Sequence, residues 1–226
     1  AELQAKGQAK ATRARALAVL RKVYAALHRA GLVQVNPARE AENIRVSTEP
    51  RTPWLLADEL RALLRPTGTG WRETRDRLVI LVLIATGLRR REVASIRGVD
   101  IIPWTMGGSA LRVTVKGGKR GIVPLPSYLT SEIRAWRKAQ SIAASGGEPT
   151  SIAASGGEPT SEDGPLFPRH LGHASPISGR TVWAIVKAAA VRAGIDPARA
   201  TPHALRRSFA TITQEHGVDE KDVQAA

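Results

Sequence analysis

The sequence predicts an α+β fold, mainly helical, with one small antiparallel sheet. Three observations carry this. Apolar residues recur at helical spacing in separate blocks, at 17–27, 72–86, 129–136 and 205–212. One stretch, ALRVTV at 110–115, instead alternates with period two, and Gly117-Gly118 and the returning GIVPL after it read as a hairpin. The 226 residues are 42% hydrophobic and 24% charged, which is globular rather than disordered composition.

The elements follow in order. Leu17, Leu20, Tyr24 and Leu27 mark an amphipathic helix closed by Gly31, and one such helix cannot bury its stripe alone. The polar, proline-bearing VSTEPRTP at 46–53 reads as an interdomain linker, giving domains at 1–48 and 49–226. LLADELRALLRP is a short helix stopped by Pro66, with Leu56 where a capping Ser or Thr is expected. Residues 72–86 include LVILVLIA, a buried helix that breaks at Thr86-Gly87, and 89–97 form another short helix. Pro124 confines the second hairpin strand to an edge or to a strand end. Helices then start near Ser127 and at 178–193, the latter between Ser178 as cap and Gly194. SIAASGGEPT occurs at 141–150 and again at 151–160, a Gly-rich duplication expected in a surface loop and functionally neutral. Thr201 caps a last helix whose first residue is Pro202 and whose apolar stripe is Leu205, Phe209 and Ile212.

Charge points to the partner. Lys and Arg number 34 against 20 acids, a formal +14, which favours a polyanion, with double-stranded DNA the expected one. Residues 1–30 hold seven of those cations and one acid, so Arg13, Arg21 and Lys22 are candidate DNA contacts, and Lys119, Arg120 and Arg207 are further ones. The longest apolar run is far short of the ~20 residues of a membrane helix, and the N-terminus lacks the apolar core of a secretion signal. With no cysteine, a reducing cytoplasm is the expected location, and no membrane partner is expected.

Three segments carry chemistry. ATGLRRRE brings Arg89 out at a helix start, with Glu92 one turn later. The hairpin RVTVKGGKRGIVPL sets Lys116 beside its turn, with Lys119 and Arg120 across it. HALRR puts His203 and Arg206 one turn apart, followed by Arg207. Taken singly, each is an ordinary polar surface. Together they make two arginines, a lysine and a histidine hung on distinct core elements. Such a set suits phosphodiester transfer. Two guanidiniums clamp the non-bridging oxygens, a lysine on a hairpin can protonate a leaving 5′-oxygen, and a histidine can donate a hydrogen bond or move a proton. No acidic cluster with metal-ligand spacing is visible, so neither metal nor cofactor is expected and the arginines supply the electrostatic stabilisation.

At this point the sequence resembles a family. TGLRRREVASIRGVDI, VKGGKRGIVPLP and TPHALRRSFATITQEHGVDEKDVQ look like the three signature blocks of the tyrosine recombinases, the phage-integrase and Xer-type enzymes, and the likeness extends from about residue 55 to the end. AALHRAGLVQVNPARE resembles the last helix of that family's core-binding domain. The resemblance implies that Arg89 and Arg206 clamp the phosphate, that Lys116 is the hairpin lysine, that His203 is the family histidine and that Glu92 supports the site. It also implies site-specific recombination through a 3′-phosphotyrosine link and a tetramer on DNA, from bacterial or phage origin. The departures matter as much. DVQAA stands immediately before the block that in the family carries a further His or Trp and the nucleophilic tyrosine, so the chain is expected to be cut at both ends and inactive alone. Tyr24 and Tyr128 fall in the wrong places for that nucleophile. Leu171-Gly172-His173 spells a family tripeptide but precedes HALR, so His170 and His173 are expected to be exposed loop residues. Arg207 stands where a second histidine is common. Two alternatives remain at this stage: a type IB topoisomerase-like enzyme, and the DNA-binding remnant of a decayed mobile element.

Overall fold

The computed structural model describes residues 6–46, 54–114, 118, 120–144, 163–170 and 174–215. The chain divides into two compact units, Ala1–Arg51 and Thr52–Ala226. The predicted linker falls, from residue 47 on, outside the described residues.

In the first unit, helix α1 (Lys10–Arg29) ends as its sequence requires. Gly31 takes φ +70°, and the amides of Gly31 and Leu32 return to the carbonyls of His28 and Leu27. No residue of α1 is buried. Its Arg21 is committed to holding the segment that follows. The guanidinium donates to Ala38 O at 3.0 Å, to Asn43 Oδ1 at 2.6 Å and to Ala41 O, while Asn36 Nδ2 donates back to Arg21 O at 3.2 Å.

The second unit is built around α3 (Trp71–Thr86), whose residues 78–83 are all buried. Against it pack α5 (Ser127–Ala144), α6 (Gly179–Arg192) and α7 (Pro202–Glu215). Trp136 fills the α5 contact, fully buried, with its indole N–H donated to Leu166 O at 2.7 Å. Helix α2 (Ala57–Leu63) starts at Leu56 without a hydroxyl cap; Glu59 Oε2 takes the Leu56 amide instead, at 2.8 Å. Ser178 caps α6 by accepting the Thr181 amide, and Gly194 closes it at φ +69°.

The sheet has three antiparallel strands rather than the two of the predicted hairpin. Its order is β1 (Ile101–Pro103), β2 (Ser109–Thr114) and β3 (Arg120–Leu125), with Ile101 opposite Leu111 and Leu111 opposite Val123. A three-residue strand has no period to read. Pro124 lies on the edge strand β3, as a residue without an amide proton must. Leu111, Val113, Val123 and Leu125 face the core, whereas Arg112, Thr114 and Arg120 face out.

Two expectations are corrected. Helix α4 spans Arg90–Ser95, shorter than 89–97, because the chain at 96–98 pairs elsewhere: Ile96 O accepts the Leu166 amide and Gly98 N–H donates to Gly164 O. Tertiary pairing there overrides helix propagation. The first copy of the duplication is not wholly loop either, since residues 141–144 close α5; the rest lies outside the described residues.

Candidate functional site

Thr86 ends α3, and Gly87 turns the chain with φ +61°, a left-handed conformation that glycine adopts without penalty. Leu88 then drops into the core and Arg89 comes out as the residue before α4. Glu92 holds it there. Oε2 accepts the Arg89 amide at 2.6 Å and Oε1 accepts Nη1 at 2.9 Å, with the Glu92 side chain 8% exposed and that of Arg89 48% exposed. The carboxylate is thus consumed in aiming the guanidinium.

The second arm is α7. Thr201 Oγ1 accepts the Ala204 amide at 3.0 Å, so the helix begins at Pro202 as its capping residues dictate. Ala204, Leu205 and Ser208 are fully buried, which turns His203 and Arg206 away from the core. Phe209 and Ile212 are only partly buried, Phe209 lying against Gly87. The Arg206 guanidinium donates to Gly87 O, fastening α7 to the turn that delivers Arg89. Burial pushes the Arg206 pKa down, the charge of Arg89 pushes it further down, and Glu92 partly opposes both. The two guanidiniums are therefore close enough to repel. An anion between them would relieve that repulsion.

An open cavity of about 550 Å³ lies between the arms. Arg89, His203 and Arg206 line it, with Thr201 and Pro202 behind. So do Arg90, Arg91 and Trp183, which the sequence reading did not place. The triple arginine run was a signal for the first two. Trp183 could have been found by elimination, because Val182, Ile185, Val186 and Ala189 form the buried face of α6 and leave it outside.

The other named residues are distributed as follows. Arg120 lies in a separate groove of about 420 Å³, with Arg112 and Thr114 of the sheet and Glu92 of α4. Arg207 is partly exposed on α7, and Lys22 is exposed and Arg13 partly exposed on α1. Lys116 and Lys119 fall outside the described residues, as does His173. His170 is exposed. Tyr128 is 55% exposed at the start of α5 and is not among the residues lining the cavity. Among the described residues no three His, Asp or Glu side chains are grouped to hold a metal ion, and no helix is long and apolar enough to cross a membrane.

Comparison with known proteins bears on this arrangement. Residues 53–226 match the phage integrase family. The tyrosine recombinase XerD of Xanthomonas campestris is 33% identical over 214 residues, covering 93% of this chain and 62% of the relative. The tyrosine recombinase XerA of Thermococcus kodakarensis is 30% identical over 195 residues, covering 82% and 57%. The chain thus spans about three-fifths of the length of these curated relatives. Among solved structures, a lambda integrase dimer bound to a COC′ core site shares the fold with a TM-score of 0.63 at 19% identity, over 99% of this chain and 73% of that one. A XerA recombinase crystal structure does so with a TM-score of 0.56 at 20% identity, over 99% and 68%.

Proposed function

This chain belongs to the phage integrase family, and on that premise we propose that it grips one DNA phosphodiester for site-specific strand cleavage and rejoining. One observation carries the reading. Arg89 and Arg206, from segments far apart in sequence, are each fixed by an internal partner and open with His203 onto one cavity.

In the proposed reaction the two guanidiniums bind the non-bridging oxygens and hold the phosphate as its charge grows in the pentavalent transition state. A tyrosine oxygen attacks phosphorus in line, forming a 3′-phosphotyrosine bond as the bond to the 5′-oxygen breaks. Lys116 gives the leaving 5′-oxygen its proton, and His203 donates to a phosphate oxygen or moves the tyrosine's proton. Attack by a second 5′-hydroxyl reverses the step on a partner strand. The covalent link conserves the phosphodiester energy, so no high-energy cofactor enters. Glu92 is a positioning residue, since it acts through Arg89.

Neither Tyr24 nor Tyr128 is assigned the attack. The first unit is proposed as the end of a DNA-clamping domain that offers Lys22 and Arg13 to the backbone. Arg21 is withdrawn from that set, because its guanidinium is already engaged within its own unit. Assembly as a tetramer on DNA in the cytoplasm is part of the same proposal. The relatives are named as recombinases and integrases, which leaves the topoisomerase-like and non-catalytic alternatives without support.

A nicked duplex that traps the covalent intermediate tests the chemistry. A longer protein in which this sequence is followed by a tyrosine-bearing segment should form a protein–DNA adduct. Changing Arg89 or Arg206 to alanine in it should abolish the adduct. An adduct that survives both changes would refute the assignment.

A further inference from the structure

The cavity carries more positive charge than one phosphodiester requires. Four guanidiniums line it, those of Arg89, Arg90, Arg91 and Arg206. Among the described residues only Arg89 of the four has a carboxylate partner, Glu92, and Arg90 and Arg91 are exposed. Three cationic charges therefore remain uncompensated, where a single phosphodiester offers one anionic charge. Size points the same way. About 550 Å³ is within the roughly 300–1,000 Å³ of sites that enclose whole small molecules, well beyond one phosphate group.

The walls indicate what lies between the charges. Gly179, at the start of α6, sits directly under this arginine pair: a Cβ placed there would lie 3.3 Å from Arg91 Cγ and 3.6 Å from Arg90 Cγ. One turn further along the same helix, Trp183 lines the cavity while 42% exposed. Its ring is held by Lys187, whose ammonium lies 5.1 Å from the ring centroid and donates to Pro197 O. A fixed, half-exposed indole among guanidiniums is an apolar surface of the kind a sugar ring packs on.

We propose that Arg90 and Arg91 form a second phosphate subsite, which takes the backbone phosphate next to the one gripped by Arg89 and Arg206, with Trp183 packed on the deoxyribose between them. The site then recognises a phosphate–sugar–phosphate unit rather than an isolated phosphate. This rests on the phosphate-gripping reading above and adds a second contact to it.

Small probes separate the two readings without a target DNA sequence. Thymidine 5′-monophosphate and thymidine 3′,5′-bisphosphate are titrated at low salt into the 226-residue chain and into its R90Q/R91Q and R206Q variants, followed by NMR shifts. One added charge-assisted contact predicts that the bisphosphate binds about tenfold tighter than the monophosphate. In R90Q/R91Q that advantage disappears and monophosphate binding is kept, whereas R206Q weakens both ligands. Both exchanged residues are exposed, and an unchanged thermal midpoint checks that the variant is folded. Equal affinity for the two nucleotides in the parent chain would overturn the second subsite alone. So would a double variant that weakens both ligands equally, or neither. Failure of both nucleotides to bind would overturn the phosphate reading beneath it as well.

Discussion

Gly87 stands where the two arms of the site meet, and replacing it with alanine perturbs both at once. At φ +61° an L-residue pays roughly 1–2 kcal/mol for the left-handed conformation. The new methyl would also lie 2.3 Å from Phe209 Cδ1 and 3.0 Å from Cγ and Cε1. Carbon pairs settle at about 3.5–4.0 Å, so the ring must give by more than an ångström, and overpacking of this kind costs about 1–3 kcal/mol. The sum is about 2–5 kcal/mol, or a midpoint lowered by about 4–20 °C for a unit of this size. Because Gly87 O also holds Arg206, DNA affinity should fall with stability. Urea unfolding of G87A, G87N and both changes in a Phe209→Ala background reads the two terms separately. Asparagine tolerates the left-handed backbone but brings the same Cβ, so G87N should keep the clash. Truncating Phe209 should reduce the cost of G87A to the backbone term. Equal costs in the two backgrounds, or a cost below about 1 kcal/mol, would refute the reasoning.

Ser208 is fully buried; it accepts the Leu55 amide at 2.8 Å and donates to Ala204 O at 3.1 Å, so S208A should cost about 1–3 kcal/mol in urea unfolding by orphaning that amide. Glu92→Gln preserves shape but removes the charge that opposes the Arg89–Arg206 repulsion, and should lower stability by about 1–2 kcal/mol with DNA binding weakened, read by the same unfolding assay and a binding titration. Burial and Arg89 lower the Arg206 pKa, but an arginine starts so far above neutral that it is charged in both states throughout the neutral range. Its burial cost is constant there and is relieved only as pH rises through the lowered value. Melting profiles of wild type and R206Q should therefore run parallel from about pH 6 to 9. Sulfate should supply the missing relief instead, stabilising wild type by roughly 1.4 kcal/mol at ten times its Kd and R206Q by less, as calorimetry would show.

Much of this was legible because the residues concerned carry local instructions. Thr201-Pro202, Ser178, Gly31, Gly194 and Gly87 each encode a helix boundary through a side-chain acceptor, a missing amide proton or a permissive φ, and each boundary is where the sequence puts it. The convergence of Arg89, His203 and Arg206 on one cavity is not local; it follows from which faces of α4 and α7 are buried. What escaped reading depends on distant partners. Strand β1 exists because Ile101 and Ile102 find Leu111 and Ala110. Helix α4 stops early because Ile96 and Gly98 pair with 164–166. Arg21 looked like a DNA contact by its charge, yet its acceptors lie 17–22 residues away in a segment with no periodic signal. Nothing local marks Trp183, which gains its place only beside the arginines of another helix.

The salt dependence of duplex DNA binding tests the central claim most directly. Each phosphate neutralised adds about −0.9 to the slope of log K against log salt concentration. The 226-residue chain, with its formal +14, should show a steep slope. Because both arginines grip one phosphate, in R89Q/R206Q the slope should become shallower by about 0.9, and affinity at fixed salt should fall. An unchanged slope and affinity in that variant, with the protein folded, would mean that this cavity does not hold a DNA phosphate.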